Sequence, residues 1–313
     1  MAASAQALDI QGHRGARGLA PENTLAAFAR ALSVGVTTLE LDCAVTRDNV
    51  LVVSHDPALN PDLTRAQDGK WLSGPGPLIH ELTYAQLQRY DVGRVNPKSA
   101  YAARWPEQTP QDGARIPRLA DVFDLVRKSR DEKVRFNIET KVSPLAPDET
   151  ALPEAFASLL VAEIERAGMS ARTTIQSFDW RTLQWVQAHA PRITTVYLTV
   201  ENGLMDNIEA AKPVSQWTAG RHVREHGGSV PRLVKASGGG VWSPFHANLN
   251  LEAVREAHAL DLKIIAWTVN DPADMRRLIE WGVDGIISDR PDILRRVAGA
   301  MGVVLPPPTA AAP

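Results

Sequence analysis

The sequence predicts a TIM (β/α)8 barrel with an inserted subdomain on its C-terminal face, and three observations carry that prediction. Eight apolar runs of strand length recur along the chain, helical periodicity separates most of them, and one long stretch after the second run breaks the rhythm. Alternation of buried strand and covering helix gives a parallel sheet, and eight such units are the count at which the sheet closes. A doubly wound open sheet is the alternative that alternation alone leaves standing.

In chain order the strands are Leu8–His13, Thr37–Cys43, Val134–Lys141, Thr173–Phe178, Thr194–Thr199, Gly240–Phe245, Lys263–Val269 and Gly285–Ser288. Helical patterns at Thr24–Val34, Ala120–Ser129, Ala155–Ala167, Trp180–Ala188, Leu251–His258 and Pro272–Trp281 supply the covering layer. The stretch 57–117 holds Gly74-Pro-Gly-Pro77, Asn96-Pro97 and Trp105-Pro106 with one short helix at Thr83–Tyr90, and is too long for a bare loop. As an insertion after the second strand it rises from the face where barrels build active sites, either as a substrate-selecting cap or as a packing embellishment. One domain then spans 8–303. The tail 304–313, Leu305-Pro-Pro-Pro-Thr-Ala-Ala-Ala-Pro313, has little apolar surface and is expected to be flexible.

Composition removes whole classes of function. With 313 residues, 44% hydrophobic and 22% charged, the chain buries a large core. Its 34 Lys plus Arg against 36 Asp plus Glu give a net charge of −2, which supplies no broad basic field for nucleic acid. Cys43 is the single cysteine, so an intramolecular disulfide and a cysteine-rich zinc site are excluded. No run approaches the ~18 apolar residues that span a bilayer, so no transmembrane segment is expected. Ala5-Gln6-Ala7 has the small-x-small form that ends a secretory signal peptide, read either as the trace of a removed signal or as an ordinary Ala-rich terminus.

The chemistry concentrates at strand ends. Glu40 and Asp42 stand two apart on an apolar strand, so both carboxylates share one face. Glu139-Thr-Lys141 repeats the spacing on the next strand and aims Glu139 at the same centre. Three acids in one small space call for a hard divalent cation. Gly12-His-Arg-Gly15 ends the first strand, where glycines permit a tight turn that presents His13 and Arg14. An imidazole moves protons near neutral pH, and a guanidinium fork suits phosphate or carboxylate. His55-Asp56 ends the apolar segment Val50–Ser54 and supplies the second imidazole of an acid and base pair.

Gly12-His-Arg-Gly15, Pro21-Glu-Asn-Thr24, Glu40-Leu-Asp42, His55-Asp56-Pro57, Glu139-Thr-Lys141, Ser177-Phe-Asp179, Trp267-Thr-Val-Asn270 and Gly282-Val-Asp-Gly-Ile-Ile-Ser-Asp289 stand in one order. From Asp9 to Asp292 that order resembles the glycerophosphodiester phosphodiesterases. Asp91-Val-Gly-Arg94, Gln108 and Ile116-Pro117 look like the longer, often periplasmic or secreted, members, which favours a periplasmic or secreted location over a cytoplasmic one. Arg118 stands where the family more often has Thr.

The resemblance implies a barrel that uses one divalent ion, Mg2+ or Ca2+, to cut a glycerophosphodiester, its small-molecule partner, into glycerol 3-phosphate and an alcohol. It assigns Glu40, Asp42 and Glu139 to the metal, His13 and His55 to acid and base catalysis, and Arg14 and Lys141 to the phosphate. His13 as base and His55 as acid is the working assignment; the attacking oxygen is water or the substrate's neighbouring hydroxyl. Phe178 and Trp267, at the ends of the fourth and seventh strands, are expected to wall the substrate, and Trp71, Trp105 and Tyr101 are candidates for an aromatic box around a quaternary ammonium.

Three rivals were weighed. A sphingomyelinase D-like or other lipid phosphodiesterase shares the barrel logic, and the large insertion argues mildly against it. His222-Val-Arg-Glu225-His226 fits a zinc peptidase motif, but Gly227-Gly228 ends any helix there. A catalytically silent barrel conflicts with the filled catalytic positions. Ser237-Gly-Gly-Gly240 precedes a strand rather than joining a strand to a helix, so it is not read as a phosphate loop.

Overall fold

The structure is a computed structural model that describes residues 8–203 and 205–313. The secretory pattern at Ala5-Gln6-Ala7 lies outside the described residues. The strands are β1 (Asp9–Gly12), β2 (Thr38–Val45), β3 (Leu51–Val53), β4 (Arg135–Thr140), β5 (Thr173–Ser177), β6 (Thr194–Thr199), β7 (Val241–Pro244), β8 (Lys263–Ala266) and β9 (Gly285–Ser288). All but β3 are parallel, in the order β1-β9-β8-β7-β6-β5-β4-β2, and a β1–β2 pairing closes the ring. The fold is therefore the closed TIM barrel, and the open-sheet alternative falls.

The outer helices are α1 (Leu25–Val34), the short α2 (Tyr84–Leu87), α3 (Leu119–Ser129), α4 (Pro153–Arg166), α5 (Trp180–His189), α6 (Val230–Ala236), α7 (Leu251–Ala259), α8 (Pro272–Trp281) and α9 (Pro291–Ala300). Local chemistry sets their ends. Thr24 accepts the amide of Ala27 at the start of α1, and Gly35, at φ 88, closes it in the left-handed conformation that favours glycine. Asp271 caps α8, Pro272 occupies its first turn and Gly282 ends it. Their apolar faces bury Phe28, Phe123, Phe156 and Leu278 against the outside of the barrel.

β3 is the element that the strand count missed. Its three residues pair antiparallel with the end of β2, Val53 opposite Cys43, and carry the chain to His55. α6 was not foreseen either, because its seven residues follow a long irregular stretch and are too few to show a period.

The barrel interior is divided. Val196, Val241, Ile265 and Ile287, one each from β6, β7, β8 and β9, form a dry layer. The opposite arc holds a polar belt: Asn137 donates to Gln11 at 3.0 Å and to Gln176 at 2.8 Å, and Gln176 donates to Glu40 at 2.7 Å. Glu40 and Asp42 on β2 and Glu139 on β4 lie in that arc.

Residues 54–118 carry short helical turns, and Leu59, Ile79, Leu87 and Ile116 pack with Ala44 and Val52 in a cluster apart from the main core. The short helix predicted there exists as α2, with Thr83 and Gln86 forming a capping box. In the tail, Thr309 donates its amide to Leu32 and its hydroxyl to Asp131, at 2.9 and 2.8 Å, and Arg295 donates to the carbonyl of Pro306. Three consecutive prolines limit the freedom the tail would otherwise lose on docking, which composition alone does not reveal. Among the described residues no helix is long and apolar enough to cross a membrane.

Candidate active site

The turn after β1 is sterically exacting. A Cβ on Gly12 would lie 2.0 Å from the carbonyl oxygen of Gly15, and one on Gly15, at φ 87, would meet the backbone of Ala27 at 2.6 Å. Between them Arg14 adopts φ 51, an unfavourable angle for a side chain. It is held there by its amide, which donates to Glu40 Oε2 at 2.8 Å, and by its carbonyl, which accepts from Asn23. His13 and Arg14 are thereby turned into the barrel mouth.

The register of β2 on β4 sets Asp42 directly opposite Glu139. Glu40, Asp42 and Glu139 are all buried, and each offers a carboxylate oxygen within 4.8 Å of the others. Among the described residues this is the one such group. Asn23 donates to Asp42 Oδ2 at 2.9 Å, while Asp42 Oδ1 is buried with no hydrogen-bond partner. A buried carboxylate oxygen left without a donor, in an all-oxygen acidic set, fits a hard divalent cation.

The electrostatics describe a frustrated cluster. Burial, reinforced by Asp42, pushes the Glu40 carboxyl well above the carboxylate range. Burial likewise raises Glu139 to about 7, against the opposing pull of Lys141. Burial also works against Asp42, yet His55, Arg14 and Lys141 hold it low and ionised. The Lys141 ammonium lies 2.7 Å from Glu139 Oε1 and 3.9 Å from Asp42 Oδ1. Arg14 reaches Glu22 at 2.5 Å and Asp42 at 3.3 Å.

Both imidazoles are tethered through Nδ1. His13 Nδ1 lies 2.6 Å from Asp289 Oδ1, and His55 Nδ1 lies 2.7 Å from Asp56 Oδ1. An ionised carboxylate only accepts, so each contact places the proton on Nδ1 and leaves Nε2 for other work. Burial and Arg17 lower the His13 imidazole, with Asp289 opposing them. Enclosure, Arg14 and Lys141 lower His55 well below its usual value.

His13, Arg14, Glu40, His55, Glu139, Lys141, Phe178 and Trp267 line one cleft, and Asp42 lies buried among them. Its empty volume of about 580 Å3 suits a small molecule. Phe178 and Trp267 meet edge to face at 5.3 Å, and the Trp267 indole donates to the carbonyl of Ser243 at 2.8 Å, so the wall is fixed. All nine predicted residues are thus brought together. Arg17, Glu22, Asn23, Gln176 and Asp289 were missed as individual contributors. Glu22, Asn23 and Asp289 stand inside motifs already noted, whereas nothing local in the sequence distinguishes Arg17 or Gln176.

One expectation is corrected, and one rival already set aside finds no support. Trp71, Trp105 and Tyr101 form no open aromatic box: the Arg65 guanidinium covers Trp71 at 5.5 Å, that of Arg17 covers Trp105 at 4.7 Å, and the Tyr101 hydroxyl bonds Glu22 and Arg17. Val223–His226 is a single 3-10 turn rather than α-helix, and His222 accepts the amide of Arg224 as its cap, which removes the zinc-peptidase geometry.

The Glycerophosphoryl diester phosphodiesterase family matches residues 13–293. The chain belongs to this family. A glycerophosphodiester phosphodiesterase of Caldanaerobacter subterraneus is 28% identical over 286 residues, covering 91% of this chain and 95% of that protein. One from Bacillus subtilis is 29% identical over 291 residues, covering 91% and 84%. Among solved structures, a putative glycerophosphoryl diester phosphodiesterase of Silicibacter pomeroyi superposes with TM-score 0.84 and 34% identity, covering 95% of each chain. A phosphodiesterase of Oleispira antarctica, solved with the product sn-glycerol-3-phosphate, shares the fold at TM-score 0.67 and 20% identity, covering 94% and 97%. The chain is accordingly a phosphoric diester hydrolase of this family, and a lipid phosphodiesterase of the sphingomyelinase D type is not favoured.

Proposed function

We propose that the cleft hydrolyses a glycerophosphodiester to glycerol 3-phosphate and an alcohol with the help of one divalent ion, Mg2+ or Ca2+. The observation that carries the reading is the convergence in one cleft of two Nδ1-tethered imidazoles, a buried acidic triad and two cations. Glu40, Asp42 and Glu139 would hold the ion, which when bound neutralises charge on the phosphoryl oxygens. Arg14 and Lys141 bind the phosphate and oppose the charge that grows in the transition state. Phe178 and Trp267 exclude water from one side of the substrate.

His13 acts as base. Its Nδ1 proton is committed to Asp289, so Nε2 accepts a proton from the attacking oxygen, either water, which gives glycerol 3-phosphate directly, or the substrate's adjacent hydroxyl, which gives a cyclic phosphate that a water molecule then opens to glycerol 3-phosphate. His55 acts as acid and protonates the departing alkoxide. Arg14 and Lys141 depress the His55 imidazole in the empty cleft; an anionic phosphodiester on those cations relieves the repulsion and favours the protonated ring.

The test is release of glycerol 3-phosphate from glycerophosphocholine after EDTA treatment and separate addition of Mg2+, Ca2+ or Zn2+, with His13→Ala and Glu40→Ala beside the parent protein. Activity restored by Mg2+ or Ca2+ and lost in both variants supports the reading. Full activity in EDTA, or in either variant, overturns it.

A further inference from the structure

His13 does not hold its own orientation. Asp289, at the end of β9, accepts from His13 through Oδ1; three further contacts hold that carboxylate and a fourth holds its backbone amide. Arg17 grips it as a fork, Nε to Oδ1 at 2.7 Å and a terminal nitrogen to Oδ2 at 3.1 Å. Asn270 donates to Oδ2 at 2.6 Å, and its own carbonyl oxygen accepts the Asp289 amide at 3.0 Å. The carboxylate is 1% exposed and both oxygens are taken, so it has one arrangement available.

Arg17 is in turn held by the insertion. Tyr101 Oη accepts from Arg17 at 3.0 Å, the Trp105 ring stacks under its guanidinium at 4.7 Å, and Gln108 donates to the Arg17 carbonyl at 2.8 Å. The Tyr101 hydroxyl also donates to Glu22, the carboxylate that holds Arg14. A segment more than eighty residues away in sequence therefore closes a chain of contacts that ends on an imidazole nitrogen.

We propose that Asp289 and Arg17 are positioning residues that fix His13 as its Nδ1–H tautomer with Nε2 toward the cleft, and that Tyr101 and Trp105 of the insertion hold Arg17 for that task. The inference rests on the proton transfer proposed for His13. It gives the insertion a part in the chemical step, distinct from any part in choosing a substrate. Trp105 meets the Arg17 guanidinium with its ring face and Tyr101 edge to face, with ring centroids 6.1 Å apart; its contact with Arg17 leads to His13, so its loss acts chiefly on kcat. Tyr101 reaches both Arg17 and, through Glu22, the phosphate-facing Arg14, so its loss acts on kcat and KM together.

The experiment reads the tautomer and the kinetics separately. Long-range 1H–15N correlation spectra of 15N-histidine protein, Mg2+-loaded and with His13→Ala to assign the signal, report which ring nitrogen carries the proton. Asp289→Asn is expected to replace the pure Nδ1–H pattern by a mixture and to lower kcat on the order of 100-fold, short of the ~10^4-fold that loss of a triad aspartate costs, with KM within threefold. Trp105→Leu is expected to lower kcat about tenfold with KM unchanged, and Tyr101→Phe to lower kcat and raise KM, by the loss of one or two hydrogen bonds. Trp105→Leu and Tyr101→Phe leave the buried carboxylate intact, and carry the test if Asp289→Asn fails to fold. A pure Nδ1–H pattern with kcat within twofold in these variants overturns the inference. Full activity of His13→Ala overturns the proposed proton transfer instead, and the tautomer result then stands or falls by itself.

Discussion

The two imidazoles of the cleft are built alike and held differently. His13 stands at the C-terminal end of β1 in the barrel mouth with its side chain 12% exposed, and its partner Asp289 is locked by Arg17 and Asn270. His55 stands at the end of β3, on the chain that leaves for the insertion, with its side chain 32% exposed; its partner Asp56 is 34% exposed and braced by Asn60 alone at 2.6 Å. Under the roles proposed above, the rigid imidazole would serve the attack, whose geometry is the same for every substrate, and the looser one would serve the departing alcohol, which differs between substrates. The contrast teaches that two imidazoles in one cleft can be held with unequal rigidity.

The largest test of that contrast removes each ring in turn. His13→Ala and His55→Ala are each expected to lose about 10^3-fold in turnover of glycerophosphocholine, within the range for general acid and base groups. A nitrophenyl ester of glycerol phosphate, whose leaving group departs without a proton, is expected to bring His55→Ala back to within about tenfold of the parent protein and to leave His13→Ala inactive. Rescue of His13→Ala instead would exchange the two roles.

Next in size, Glu40→Gln is expected to weaken divalent-ion binding about 100-fold, measured by calorimetric titration of EDTA-stripped protein, because it removes a charged oxygen from a small acidic set. An unchanged affinity would move the ion elsewhere. A smaller effect separates the two tethers. Asp56→Asn is expected to lower kcat about tenfold, less than Asp289→Asn, because solvent can re-orient a partly exposed ring. Equal losses would erase the distinction between a locked and a loose imidazole.

The smallest prediction concerns pH. Glu139 is raised to about 7 in the ion-free protein, so a metal must displace a proton below that pH. Its affinity is expected to rise at least about tenfold between pH 6 and 8, read by the same titration, and Glu139→Gln is expected to reduce the rise, with Glu40, also raised by burial, carrying the remainder. Stability follows the opposite sign. A carboxylate whose folded pKa lies above its unfolded value, about 4.3, favours the fold when protonated. The ion-free melting temperature should therefore fall as pH climbs from about 4.5 through 7, and added Mg2+ should cancel the decline.

Much of this was legible in the chain. Strand length and spacing identified all eight barrel strands, because a buried parallel strand is a short apolar run that no solvent-facing residue interrupts. Glu40, Asp42 and Glu139 were legible because a period of two is a local signal. What escaped was non-local or short. β3 has three residues and exists because β2 runs past the barrel rim to pair with it. Asp289 meets His13 across 276 positions, and Arg17 meets Trp105 across the insertion, so no periodicity links them. Tyr101 and Trp105 were read as ligand-facing aromatics since composition does not say which ring already has a cation. The tail's contacts escaped for the same reason: its partners, Leu32 and Asp131, are distant in sequence.

The seam of the barrel has its own consequence for how the molecule comes into being. β1 meets β2 through only two residue pairs but meets β9 through four, from Asp9 opposite Gly285 to Gly12 opposite Ser288. β1 therefore waits for β9 before most of its edge is satisfied, a contact of very high sequence separation that forms late. Asp289 follows β9 directly. The imidazole after β1 acquires its partner at the moment the ring shuts, so under the positioning proposed above a chain cut before β9 would hold a bare, unaimed His13, and turnover would report that the barrel has closed.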